Sequence, residues 1–189
     1  RYRELFKSMS SGVAVYEAVD GGKDFIFKDA NIAAQKIDKF DIEKARGKNV
    51  TEVFPGVEEF GLLDLMREVY HGGEAKRQPI SFYKDSRLQG WRENYVYRLP
   101  TGEIVCVYDD LTQHKRAEGA LVESERKFRM MAENINEGLI IASGKEVIYV
   151  NDRVSEIYGY DKDEMKEKTI LDLCSPEEKE RLALEIERS

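Results

Sequence analysis

Two histidines and two cysteines are this chain's stock of neutral-pH bases, soft nucleophiles and soft metal ligands. They stand apart, as His71, His114, Cys106 and Cys174. No pair falls at a metal-ligand spacing, so no metal site is expected. No serine–histidine–aspartate set or paired carboxylates stand out, and two histidines supply little general-base capacity. This stretch is therefore expected not to be an enzyme. His114 is followed by Lys115-Arg116 with no glycine-rich nucleotide loop nearby, so it reads as a solvated helix residue and not as a phosphoacceptor. The remaining chemical pattern is aromatic. Trp91, Tyr95 and Tyr97 recur at strand period. Such a stripe is either plain core or a pocket wall with hydroxyls aimed at a ligand. Phe54, Met66, Tyr70, Phe82 and Tyr108 would complete that wall. Arg92 and Arg98 fall on the opposite face, which disfavours an anion held by them inside.

The elements that must position these residues belong to a chain of one to two domains. Charged residues make up 35% and the net charge is −7, with both signs interspersed. Nucleic acid would need a clustered basic face, and the run His114-Lys115-Arg116 gives way at once to Glu118, Glu123 and Glu125. No nucleic-acid partner is expected. The separated cysteines read as reduced thiols of a cytoplasmic protein. No apolar run is long enough to span a membrane, and no signal peptide is evident. A start at Arg1 without Met and an end inside a repeat suggest a piece of a longer protein, in which a membrane anchor is left open.

That repeat organises the chain. Tyr2-Arg3, Met9 and Gly12 return as Phe128-Arg129, Ile135 and Gly138, an offset of 126. Asn31, Ile37, Phe40-Asp41 and Lys48-Asn49-Val50 return as Asn151, Ile157, Tyr160-Asp161 and Lys168-Thr169-Ile170, an offset of 120. The first copy thus carries six extra residues between the two anchor sets. It reads as a helix over 1–10, strands at Val13–Val19 and Phe25–Phe27 around Asp20-Gly21-Gly22, and short helices opened by Asn31 and Asp41. A further helical turn follows at Val50–Phe54, then a longer helix at Leu62–Tyr70 and strands at Ile80–Tyr83, Trp91–Leu99 and Ile104–Tyr108. Helices do not alternate with strands. The class is therefore α+β: a five-stranded antiparallel sheet with helices on one face and a cavity between.

Residues 111–135 join the copies as one predicted helix. Leu121, Phe128 and Ile135 sit seven apart, as do Ala117, Ser124 and Met131. This a/d pattern predicts a short parallel coiled coil with its seam at Ala117, Leu121, Phe128, Met131 and Ile135, and hence a homodimer. A single amphipathic helix packed on its own domain is the other reading.

Asp110-Leu111-Thr112, followed by a charged helix, resembles the signature that closes a PAS domain and opens a signalling helix. Asn31, Phe40-Asp41 and Gly47-Lys48-Asn49-Val50 also resemble PAS motifs, as do Asn151, Gly159-Tyr160 and Lys168-Thr169-Ile170. Glu167 departs, standing where the first copy has Gly47. The resemblance implies a complete PAS domain at 1–112, a signalling helix at 111–135 and the N-terminal part of a second PAS domain at 128–189. It implies a sensory module of a sensor histidine kinase in a two-component phosphorelay, with an output domain further along the parent chain. The alternative it allows is a dimerisation module of a transcriptional regulator or diguanylate cyclase, without a ligand of its own. A small-molecule ligand is expected to be possible, its identity unknown. Haem, which members of the family hold through a histidine on the helix containing His71, is disfavoured because His71 abuts Gly72-Gly73. Covalent flavin is disfavoured because no cysteine follows Asn31 on its helix. Asp110, Leu111 and Thr112 are expected to transmit the signal, Asp110 by tying the strand end to a basic group or backbone and Thr112 by capping the helix. Because the second copy stops before its last strands, residues after about Val150 are expected to be poorly ordered, rearranged into helix, or completed by a partner chain.

Overall fold

The computed structural model describes residues 2–186. It divides into two compact units that meet between Glu118 and Gly119, inside a helix.

The first unit opens with α1 (Tyr2–Ser8) and the hairpin β1 (Gly12–Val19) and β2 (Asp24–Ala30). Asp20, Gly21 and Gly22 all take positive φ between these strands, the backbone that a tight hairpin connection requires. Three short helices follow, α2 (Ile32–Asp38), α3 (Ile42–Ala45) and α4 (Val50–Val53). The Asn31 side chain caps α2 by accepting from the Ala34 amide, and Asp41 caps α3 by accepting from Glu43. The longer α5 (Leu62–Gly72) closes on Gly73 in the left-handed region. Then come β3 (Lys76–Lys84), β4 (Gln89–Arg98) and β5 (Ile104–Asp110). The sheet order is β2-β1-β5-β4-β3, and every pair is antiparallel. Its core lies on one face, where Tyr16, Phe27, Val96 and Cys106 from the strands meet Leu63, Met66 and Val69 from α5.

Strand β4 alternates as its sequence period predicts, but with the faces exchanged. Arg92, Asn94 and Val96 point into the core at 5%, 3% and 0% exposure. Trp91, Tyr95 and Tyr97 lie on the outer face of the sheet, where Tyr95 is exposed and the other two half-buried. There they pair with aromatic neighbours, Phe82 with Trp91 and Tyr95 with Tyr97. The physical reason is partnership. Arg92 and Asn94 have hydrogen-bonding partners inside, which removes most of the cost of burying them.

Helix α6 (Thr112–Asn134) runs from the first unit into the second. The second unit continues with the hairpin β6 (Ile140–Ser143) and β7 (Glu146–Val150). Next come α7 (Asp152–Tyr158), α8 (Lys162–Lys166), a 3-10 turn at Ile170–Leu173 and α9 (Pro176–Ile186). After Val150 the structure holds helices, and α9 begins where the first copy, at the offset of 120, is still in the turns before α5. Asn151 caps α7, Asp161 caps α8, and Val147, Val150, Val154, Met165 and Leu173 form a small core. These elements form without the later strands because their caps and contacts are local. The two copies end their second helices differently, with Gly47 at φ 80° and Glu167 at φ −77°.

Candidate functional site

Strands β1, β4 and β5 and the end of α2 surround a void of about 40 Å³, lined by Tyr16, Asp38, Phe54, Arg92, Asn94, Cys106 and Tyr108 among others. That is room for about three water molecules. Burial pushes the Tyr16 and Tyr108 hydroxyls and the Cys106 thiol up, so Cys106 is an inert neutral thiol. Burial also raises the Asp38 carboxyl, against the pull of Tyr108 and Arg92.

Arg92 joins this void to the start of α6. Its Nη1 donates to Asp110 Oδ1 at 2.6 Å, to Thr112 Oγ1 at 3.3 Å and to the Trp91 carbonyl at 3.2 Å. Its Nη2 reaches Asp38 Oδ1 at 3.5 Å, and Tyr108 donates its hydroxyl to the other Asp38 oxygen. Asp110 Oδ1 also accepts the Thr112 amide at 3.0 Å. The Thr112 hydroxyl donates to Asp110 and accepts the Trp91 amide at 3.0 Å, while the Leu111 amide donates to the Trp91 carbonyl at 3.0 Å. So Asp110 meets the basic group expected of it. Thr112 is the first residue of α6 rather than its cap, and its hydroxyl ties the helix to β4. Gly90 permits this crowding: a Cβ there would lie 2.4 Å from Thr112 Oγ1 and 2.5 Å from Arg92 Nη1.

The residues singled out as a pocket wall are dispersed. Phe54 and Tyr108 line the void. Met66 is fully buried in the same core. Tyr70 packs at the edge, its ring 6.4 Å from Phe25 and under the Arg98 guanidinium. Phe82, Trp91, Tyr95 and Tyr97 are on the far face of the sheet and are no part of this wall. His71 is exposed, with its ring edge against Tyr70. Asp38, Asn94 and Gly90 carried no signal in the sequence that pointed to this site. Arg92 was visible there but assigned to the wrong face.

Along α6 the seam residues Leu121 and Met131 are 62% and 64% exposed, and Ala117 is exposed as well. Phe128 has its ring 5.7 Å from Tyr149 of the second unit, and Ile135 lies one residue past the helix end. The last turn of α6 is held by a polar cluster that sequence reading missed. Glu133 accepts from Lys162 at 2.7 Å, from the Tyr149 hydroxyl at 3.0 Å and from the Asp152 amide at 2.7 Å. The Lys162 ammonium beside it, with the Asp152 amide, holds the Glu133 carboxyl down at about 2. Asn151 adds a bond from its Nδ2 to the Ala132 carbonyl at 2.8 Å.

Residues 126–188 match the PAS domain family. In the first unit, the five-stranded antiparallel sheet with its intervening helices is followed by the long helix α6. No curated protein matches the chain. Solved PAS and sensor-protein structures similar to it include a domain of a sensory box sensor histidine kinase/response regulator from Geobacter sulfurreducens. It shares 19% identity over 58% of this chain and 90% of its own, with a TM-score of 0.47. A PAS domain from Colwellia psychrerythraea shares 16% over 59% and 95%, at 0.45. A blue-light activated histidine kinase from Erythrobacter litoralis shares 12% over 68% of this chain and 43% of its own, at 0.44. Among the described residues no helix is long and apolar enough to cross a membrane, and no cluster of metal-ligating side chains occurs.

Proposed function

We propose that this chain is a sensory and signal-transmitting segment, with a complete PAS domain followed by part of a second, of a sensor histidine kinase in a two-component phosphorelay. The observation that carries this reading is the junction at Arg92. One guanidinium contacts Asp38 beside the internal void and both Asp110 and Thr112 at the root of α6. A change in the void is thereby coupled to the first turn of the helix, provided the ligand or partner favours one state of that junction over another. The helix then delivers the change to the second unit, where Glu133 and Asn151 grip its last turn. Two such chains pair along the exposed α6 seam in a cytoplasmic homodimer. Bistable packing of that seam is the kind of element a switch requires.

The small void supports a second reading, in which the first unit transmits and dimerises without a bulky cofactor. Both readings require pairing through α6. Sedimentation equilibrium tests this. The expected result is a dimer that Leu121→Glu weakens at least about tenfold, because a charge enters the seam. Leu121 is exposed within one chain, so the variant should keep its folding stability within about 0.5 kcal/mol. A monomer at all accessible concentrations sinks the pairing, and with it the relay through paired helices.

A further inference from the structure

The end of α2, the β3–β4 turn and the first turns of α6 enclose a cleft of about 530 Å³ on the outside of the first unit. That volume is in the range of small-molecule sites. Lys39, Ser86, Arg87, Gln89, Gln113 and Arg116 stand on its walls, and Ile37 and Leu88 supply an apolar stretch. Its charges do not balance. The Asp85 carboxylate is fully engaged. It accepts from the Tyr83 hydroxyl at 2.7 Å, the Arg87 and Leu88 amides at 2.7 and 2.9 Å, and the Arg87 guanidinium at 3.2 Å. Asp110 is held by Arg92 at 2.6 Å. Arg87 and Arg92 thus answer the two carboxylates of the cleft. Lys39 and Arg116 are left over, and among the described residues neither has a carboxylate within ion-pair distance. The surplus is two positive charges on a chain whose net charge is −7. Arg116 follows Thr112 by one helical turn, so both sit on the side of α6 that borders the cleft. Lys39 holds its place with a left-handed backbone, φ 51°, where the second copy has Gly159. A lysine there is less favourable than a glycine, and a role for its ammonium accounts for it.

We infer that this cleft is a binding site for a phosphate monoester, a small phosphorylated compound whose dianionic head sits between Lys39 and Arg116. Such a head carries about two negative charges at neutral pH and three strong acceptor oxygens. It matches the two uncompensated cations, and Ser86, Gln89 and Gln113 add neutral donors on the same walls. A monocarboxylate would leave one cation unanswered. The cleft is larger than the head group, so the esterified part has room along Ile37 and Leu88. The site is separate from the internal void and does not depend on the sensory reading, but it adds a consequence to it. Lys39 belongs to the body of the first unit and Arg116 to α6, so a ligand held by both braces the root of the helix.

Backbone amide signals of the full chain, followed by two-dimensional NMR, test this. Inorganic phosphate, glucose 6-phosphate and adenosine monophosphate are titrated at about pH 8, where all three are largely dianions, with sodium chloride holding the ionic strength constant. The Lys39, Gln89, Gln113 and Arg116 amides should shift saturably. Dissociation constants of about 1–10 mM for phosphate and about 0.1–1 mM for the better ester are expected, and glucose and adenosine should cause no such shift. Lys39→Gln and Arg116→Gln replace exposed side chains and should keep the denaturation midpoint. Each should weaken binding at least about fivefold, while Lys23→Gln, at an exposed cation away from the cleft, should leave it unchanged. Tighter binding of adenosine monophosphate upholds the site and makes its ligand a nucleotide; tighter binding of glucose 6-phosphate upholds it and makes the ligand a sugar phosphate. No saturable shift by any of the three below about 20 mM overturns the site. So does undiminished binding by either cleft variant. Poly-glutamate shifting the same amides when no phosphate compound does so also overturns it, and makes the cleft a docking face for an acidic protein. Saturable binding with unchanged amide exchange at Gln113 and Arg116 upholds the site while defeating the brace.

Discussion

Asn31 and Asn151 make the same corner in two settings. In the first unit the Asn31 side-chain oxygen accepts from Val13 and Ala34, and its nitrogen donates to the Ser11 carbonyl. In the second, Asn151 accepts from Leu139 and Val154 and donates to the Glu137 carbonyl. Val13 to Leu139 is the offset of 126, and Ala34 to Val154 is the offset of 120, so the repeat read from sequence is a repeat of contacts. The surroundings differ. Among the described residues, nineteen buried hydrophobics build the first core, against five in the second. Phe27, Phe40 and Phe54 pack edge to face in the first. At the same offset the second has Val147, an exposed Tyr160 and Cys174. The first unit is thus held chiefly by burial. Polar ties such as those of Glu133 and Asn151 carry more of the burden in the second.

The largest blow to this contrast should be Arg92→Met. It leaves Asp38 buried without its cation, at a cost of about 3–5 kcal/mol to the first unit. Unit-resolved hydrogen exchange should show the second unit untouched. Next come Asn31→Ala and Asn151→Ala. Asn31→Ala orphans the Val13 and Ala34 amides, whereas Asn151→Ala removes the acceptor of the Leu139 amide and the donor to the Ala132 and Glu137 carbonyls; each should cost its own unit about 2–4 kcal/mol. If the second unit has the smaller reserve, Asn151→Ala should unfold it outright while Asn31→Ala leaves the first unit folded, a difference visible in urea titrations.

Acid sharpens the contrast further. Glu133 is held at about 2 against an ordinary 4.5, so its contribution is fully present above pH 4.5 and is lost as pH falls toward 2. The second unit should weaken across that window, and Glu133→Gln should flatten the dependence in an acid titration followed by circular dichroism. The smallest effect concerns one residue. Lys39 ends α2 in the left-handed region at φ 51°, where the second copy has Gly159 at φ 75°. Lys39→Gly should stabilise the first unit by about 0.5–1 kcal/mol, read from its denaturation midpoint.

What was legible in the sequence was local. Asn31 and Asp41 cap helices within three residues of themselves, so residue type and position sufficed to place those helix starts. Strand period was legible in β4 as well, because alternation is a property of the strand itself. The choice of face was not. It depends on Asp38, 54 residues from Arg92, and on Asp110, 18 residues away. Hydrophobicity alone favoured the aromatic stripe as the inner face, and long-range ion pairing overrode it. The Glu133–Lys162 tie, spanning 29 residues, was invisible for the same reason.

The central claim is that Arg92 fastens the root of α6 to the pocket side of the first unit. Amide hydrogen exchange in Arg92→Lys, compared with the native chain, addresses it directly. The account predicts that protection of Trp91, Leu111 and Thr112 falls at least about tenfold, while the Asn151 corner, read at Leu139 and Val154, is unchanged. Equal protection at Trp91, Leu111 and Thr112 in the two proteins would contradict it.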